Sequence, residues 1–322
     1  MISKNQAVNQ VKKFRPAVSI IFLVFALAAG SYYVASNRAI LDHLASTSWS
    51  VTAAIFCLYI VMLGVLLLIM KASMDICGRK LKLTENAAIN VYSLLINFFI
   101  PGQGGSAYRG LHLRQRHKLR IKNYIIVALM YYLLYAMVSV LLLMASSRPW
   151  WQTALAVLVV SGLGLAIIRW YSKRSEIGQR EFRLGPRNIL FLLFATVLQA
   201  AVQMAIYAVE LRNVSQSVSL SQIMTYTGAA NLALFVSLTP GAIGIRESFL
   251  FFSEQLHHIS GTNIIEANVI DRAVYIVFLL ALLSIALAAH VVKHQRLKRL
   301  SEPVRTAVQL NNESTGVEKS IQ

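Results

Sequence analysis

Apolar positions in this chain come in long unbroken runs rather than in alternation or narrow stripes. Ala17–Ser36, Val51–Met70, Tyr124–Ala145, Trp150–Ile168, Asn188–Val209 and Ala267–Val292 each approach the roughly 20 apolar residues that cross a bilayer as helix. Two further runs break off at a proline-glycine turn. Asn90–Gly105 ends in Pro101-Gly102-Gln103-Gly104-Gly105, and Leu220–Gly244 ends in Pro240-Gly241-Ala242-Ile243-Gly244. The first offers only about 15 apolar residues before Pro101, too few to span. The pattern predicts an all-α polytopic membrane protein with about six transmembrane helices and two interrupted segments.

Polar positions set the orientation. Lys and Arg gather in residues 1–16, in the loop holding Lys71, Arg79, Lys80 and Lys82, in residues 105–122, in the loop before Asn188, and after Val292. The other connections carry single basic residues, Arg38, Arg148 and Arg212. By the positive-inside bias the rich loops and both termini are cytoplasmic. Each broken segment then enters and leaves on one side, the first from the cytoplasm and the second from outside. Residues 51–145 and 188–292 therefore read as span, re-entrant helical hairpin, span, in opposite orientations. That is an inverted repeat within a single transmembrane domain, residues 1–300, and 301–322 reads as a disordered cytoplasmic tail. Cys77 falls in a cytoplasmic loop and should escape impermeant thiol reagents applied from outside.

Composition agrees: 57% of the 322 residues are hydrophobic and 14% charged, against about 25% charged in soluble domains. The net charge of +18 is accounted for by the topology-setting loops, so nucleic acid is not an expected partner. The two cysteines and scattered histidines have no metal-ligand spacing, and no phosphate-binding glycine loop is present, so no cofactor is expected.

Candidate chemistry sits at the breaks. Irregular backbone at bilayer depth survives where it is buried in protein or lines a wet cavity. Gly104, Gly105, Gly241 and Gly244 permit close backbone approach, and a helix restarting after each turn aims N–H groups at it. Arg109 and Arg246 follow the breaks and suit two-point contacts to phosphate oxygens. Arg246 is either a ligand contact or the partner of Glu247 or Asp271. Asp271, near a helix start, suits the helix dipole, and Arg272 needs a partner such as Glu247. Gln199 and Gln203 share one helix face, as interhelical glue or as the lining of a polar path. Asn90, Ser93 and Asn97 are placed to satisfy freed backbone groups. No nucleophile, base and orienting residue assemble, so an enzyme is not expected.

Phe98-Phe99-Ile100-Pro101 with Gly105-Ser106-Ala107-Tyr108-Arg109 resembles the first motif of the lysylphosphatidylglycerol synthase transmembrane-region, or flippase-like, family. Ser237-Leu238-Thr239-Pro240-Gly241-Ala242-Ile243-Gly244-Ile245-Arg246-Glu247 resembles the second, and Asp271-Arg272 matches the arginine that opens the final span. Ser106 stands where an acidic residue is frequent, and Ala242 where a second glycine is usual. The resemblance implies a bacterial or archaeal protein of the cell inner membrane that moves a phospholipid or lipid-linked anionic headgroup between leaflets. The best-known relatives carry a soluble synthase domain; nothing after Val292 is long enough for one, so synthase activity is not expected. The alternative is a non-transporting accessory subunit of a cell-envelope lipid or glycan transferase. Homo-oligomers and a cell-envelope enzyme partner both remain open.

Overall fold

In a computed structural model, residues 47–99, 104–144, 185–215, 217–236 and 245–318 are described, with 151–155, 158–159, 162 and 166. Among them every regular element is helical: α1 (Trp49–Ile76), α2 (Leu83–Phe99), α3 (Gly104–His117), α4 (Ile121–Met144), α5 (Pro186–Val214), α6 (Leu220–Ala233), α7 (Ile245–Phe252), α8 (Glu254–His257) and α9 (Gly261–Glu318). The chain divides into two compact units, Met1–Phe278 and Leu279–Gln322. The second is helical as far as Glu318, through most of the residues that the sequence reads as a disordered tail. Leu300, Val304 and Val308 there fall at helical spacing.

Among the described residues, four helices are long and apolar enough to cross a membrane: α1, α4, α5 and the stretch Gly261–Ala289 of α9. These correspond to four of the expected spans. Ala17–Ser36 lies outside the described residues, and of Trp150–Ile168 the stretch Trp151–Leu155 is helical. Only 28–39% of each span's apolar window is buried within the protein, and large apolar side chains such as Ile60, Leu141, Phe194 and Ile265 are exposed, as suits helices in hydrocarbon. The inward stripes follow helical spacing. Ile55, Tyr59, Met62, Val65 and Ile69 are buried on α1, which packs along α5, where Leu192, Ala195, Ala200 and Ile206 are buried.

Of the first interrupted segment, α2 is described to Phe99 and α3 from Gly104, and the two pack on each other. Helix α6 begins at a Ser219 capping box with Gln222, tightens into a 3₁₀ turn at Leu234–Val236, and helix resumes at Ile245 as α7, which packs on α6. Pro101, Pro240, Gly241 and Gly244 lie outside the described residues.

The open end of the α2–α3 pair is tied by charge. Glu85, in the first turn of α2, meets His112 Nε2 at 3.1 Å, His117 Nε2 at 3.0 Å and Arg116 Nε at 3.5 Å. Burial pushes its carboxyl up, but the hydrogen bonds to His117 and His112 and the charges of His117 and Arg116 outweigh that and hold it below the ordinary value of 4.5. A carboxyl lowered in the fold stabilises it fully above 4.5 and loses that contribution as pH falls through the lowered value. Acid titration of thermal stability should therefore show a loss below the ordinary carboxylate range that is smaller in Glu85→Gln.

Helix α6 approaches α4 so closely that a Cβ on Gly228 would stand 2.3 Å from the Leu143 amide nitrogen and 2.6 Å from the Ser139 carbonyl. Both are backbone atoms and cannot rotate aside. Gly228→Ala should lower the unfolding free energy in detergent by about 1–3 kcal/mol, the usual cost of overpacking. Cys77 is buried, only 5% exposed, which corrects its use as a topology reporter. Silence toward a thiol reagent would reflect packing, and a cysteine at exposed Lys80 serves instead.

Candidate functional site

The helices that the sequence separates converge on one cavity of about 310 Å³. Arg109 reaches it from α3, Arg246 from α7, and Asp271 with Arg272 from α9; Asn97, Ser106, Gln199 and Gln203 add polar groups. Aromatic and aliphatic walls come from Tyr59, Tyr131, Tyr132, Tyr135, Tyr207, Phe235, Tyr275 and Phe278, with Leu63, Leu66 and Leu94. Among the described lining residues, three are arginines and one is a carboxylate, so with Asp271 ionised they carry a formal +2.

Arg246 is the centre of this arrangement. It is 6% exposed; its Nη1 donates to Asp271 Oδ2 at 2.6 Å, and its guanidinium lies over the Tyr207 ring, 5.1 Å from the centroid. Asp271 Oδ1 accepts from the Tyr59 hydroxyl. Of the two partners that the sequence left open for Arg246, the structure therefore pairs it with Asp271. Among the described residues, the buried Nε and Nη2 of Arg246 have no hydrogen-bond partner, and neither has the buried Nε of Arg109. A buried charged donor left unmade costs upwards of about 1–3 kcal/mol. These N–H groups are the ones an anion in the cavity would satisfy.

Two expectations need correction. Helix α9 starts at Gly261, so Asp271 lies well inside it rather than near its first turn, and the helix-dipole role falls away. Gly105 does not offer its amide to the cavity: its N–H donates to Asn97 Oδ1 at 2.7 Å. A Cβ there would stand 2.3 Å from the Ser93 carbonyl, so this glycine is required for the close approach of α2 and α3. Asn97 satisfies a freed amide, as expected, and Ser93 Oγ lies 3.2 Å from the Gly105 carbonyl. Gln199 serves both suggested roles, lining the cavity while its Oε1 accepts from Tyr131 at 2.8 Å. Gly104 opens α3, and Glu247 belongs to α7 while its side chain lies outside the described residues.

Sequence reasoning missed two features. Tyr131, Tyr132 and Tyr135 sit in the interior of α4 rather than at a membrane interface, a visible signal of a polar-lined path. Glu210, 1% exposed on α5, looks in sequence like the polar end of a span beside Arg212.

A multi-pass helical membrane protein with an arginine-lined cavity between its helices is the class that these features define. The family model described as the lysylphosphatidylglycerol synthase transmembrane region matches residues 14–283. The chain belongs to that family, and so to membrane proteins of lipid metabolism or translocation. No curated protein matches it.

Proposed function

We propose that the protein translocates an anionic phospholipid, or a lipid-linked anionic headgroup, between the leaflets of a bacterial inner membrane. The α2–α3 and α6–α7 pairs act as re-entrant hairpins of an inverted repeat, entering from opposite faces, with both termini cytoplasmic. The carrying observation is the set of unpaired buried N–H groups on Arg246 and Arg109, facing one cavity among membrane spans. The volume supports a headgroup rather than a whole lipid. About 310 Å³ lies at the low end of the roughly 300–1,000 Å³ of small-ligand sites, so acyl chains would stay in the bilayer. Guanidinium forks suit phosphate oxygens, and the tyrosines and glutamines suit headgroup hydroxyls. The reading involves no bond-making step and no cofactor.

Reconstitution tests it. Vesicles holding the protein should move labelled phosphatidylglycerol across the bilayer faster than the zwitterionic phosphatidylcholine. Equal rates for both would remove the charge-selective site. No movement, together with co-purification of an envelope transferase, would favour the accessory-subunit reading, and turnover of the lipid to a new product would make the protein an enzyme.

A further inference from the structure

Among the described residues, Glu210 is the one buried carboxylate that the site described above does not use. It lies one turn beyond Tyr207 on α5, and among the described residues neither of its buried carboxylate oxygens has a hydrogen-bond donor. Asp271, by contrast, has both oxygens engaged, one by Tyr59 and one by Arg246. The ionisable groups around Glu210 are Tyr59 of α1, Tyr226 of α6, Arg246 of α7, Asp271 of α9 and Tyr207 on its own helix. Tyr135 of α4 faces Tyr207 and Arg246, and Arg272 neighbours Asp271.

One guanidinium thus acts electrostatically on two acids and, among the described residues, is hydrogen-bonded to only one of them. A second ionised carboxylate here would be buried, without donors, and beside a like charge, a setting that disfavours ionisation. Arg246 keeps Nε and Nη2 for an anion. An anion seated there adds negative charge next to Glu210 and tightens its hold on a proton. Equally, an ionised Glu210 would compete with that anion for Arg246. The two effects are one coupling free energy seen from either ligand.

We propose that Glu210 is a proton-binding site linked to occupancy of the cavity, so that an anionic headgroup and one proton are bound together. The proton comes from water and resides on a Glu210 carboxylate oxygen; above the range in which the free acid itself titrates, it arrives and departs with the anion. This rests on the anion-site reading above and adds a second ligand to it.

The test uses the full chain in nonionic detergent, with dihexanoyl-phosphatidylglycerol and inorganic phosphate as separate probes. Binding is followed by calorimetry in buffers of different ionisation enthalpy, from mildly acidic to mildly alkaline pH. The wild type should take up a proton on binding, approaching one per anion at the alkaline end, with affinity falling there by up to about tenfold per pH unit, the limit for one linked proton. Glu210→Gln, neutral at every pH, should bind without uptake and with a flat profile. Binding by the wild type with no uptake, or undiminished uptake in Glu210→Gln, overturns the proposal. Proton uptake with the lipid probe alone supports it for a headgroup, and uptake with phosphate as well supports it for any phosphate anion.

Infrared spectroscopy of the unliganded wild type separates the two readings. The carbonyl stretch of a protonated carboxylic acid should appear at neutral pH and vanish in Glu210→Gln. Its absence refutes the proton site while leaving the anion site standing. That stretch in a protein to which neither probe binds at any pH sinks the anion site, and the linkage with it.

Discussion

Asp271→Ala is expected to destabilise the folded protein by about 3–5 kcal/mol, the range for breaking a buried ion pair from one side. The Arg246 and Asp271 side chains are 8% and 4% exposed, with a 2.6 Å contact between them. Removing the carboxylate leaves the guanidinium buried without its counter-charge and the Tyr59 hydroxyl without its acceptor. Guanidinium at a neighbouring position on the surface would relax into water; here the walls are Tyr207, Tyr135 and Phe278. Equilibrium denaturation in mixed micelles reads the effect. Asp271→Asn should lose less, because an amide oxygen still accepts one hydrogen bond. The double variant Arg246→Met with Asp271→Leu should recover much of the loss, since matched apolar replacement of a buried pair is often close to neutral. A loss of under about 1 kcal/mol in Asp271→Ala would put the pair in a wet, exposed setting.

That pair also marks how far the sequence could be followed. The spans α1, α4 and α5 were legible from length and hydropathy alone, because bilayer thickness admits few alternatives. The last span was placed too late: Thr262, Asn263, Glu266 and Asn268 interrupt the apolar window although helix already runs from Gly261. On a buried face such polar residues are tolerated when paired, as Asn268 Nδ2 is with the Ile264 carbonyl at 2.8 Å. The early start moved Asp271 from a helix end to the buried stripe shared with Ile264, Ala267 and Val274. The convergence of Arg109 and Arg246 was legible, since matched interruptions in two halves imply backbone that must share a protected place. Which acid would face which arginine was not, because that depends on how α7 and α9 lie against α5, and no one-dimensional pattern encodes it. Glu210 was lost for the same reason: its position beside Arg212 suggests an interface, while tertiary packing buries it.

Arg109→Gln separates transport from folding more cleanly than any change at Arg246. Arg246 holds both an ion pair and a cavity face, so its loss would injure stability and function together. Arg109 lines the same cavity, and among the described residues it makes no ion pair; its buried Nε has no hydrogen-bond partner. Its removal should leave thermal stability nearly unchanged. A hydrogen bond to a charged group contributes about 1.5–3 kcal/mol, and each 1.36 kcal/mol in a barrier is tenfold in rate. Transfer of phosphatidylglycerol in reconstituted vesicles should therefore fall roughly 10- to 100-fold, provided Arg109 meets the headgroup as it crosses. Arg109→Lys should restore only part of the rate, because an ammonium supplies the charge without the planar fork. Phosphatidylcholine transfer is the internal comparison: its net-neutral headgroup gains less from the arginine, so its rate should fall less. A full wild-type rate in Arg109→Gln would confine anion contact to Arg246 and Arg272. An equal fall for both lipids would mean that Arg109 shapes the path rather than reading the charge.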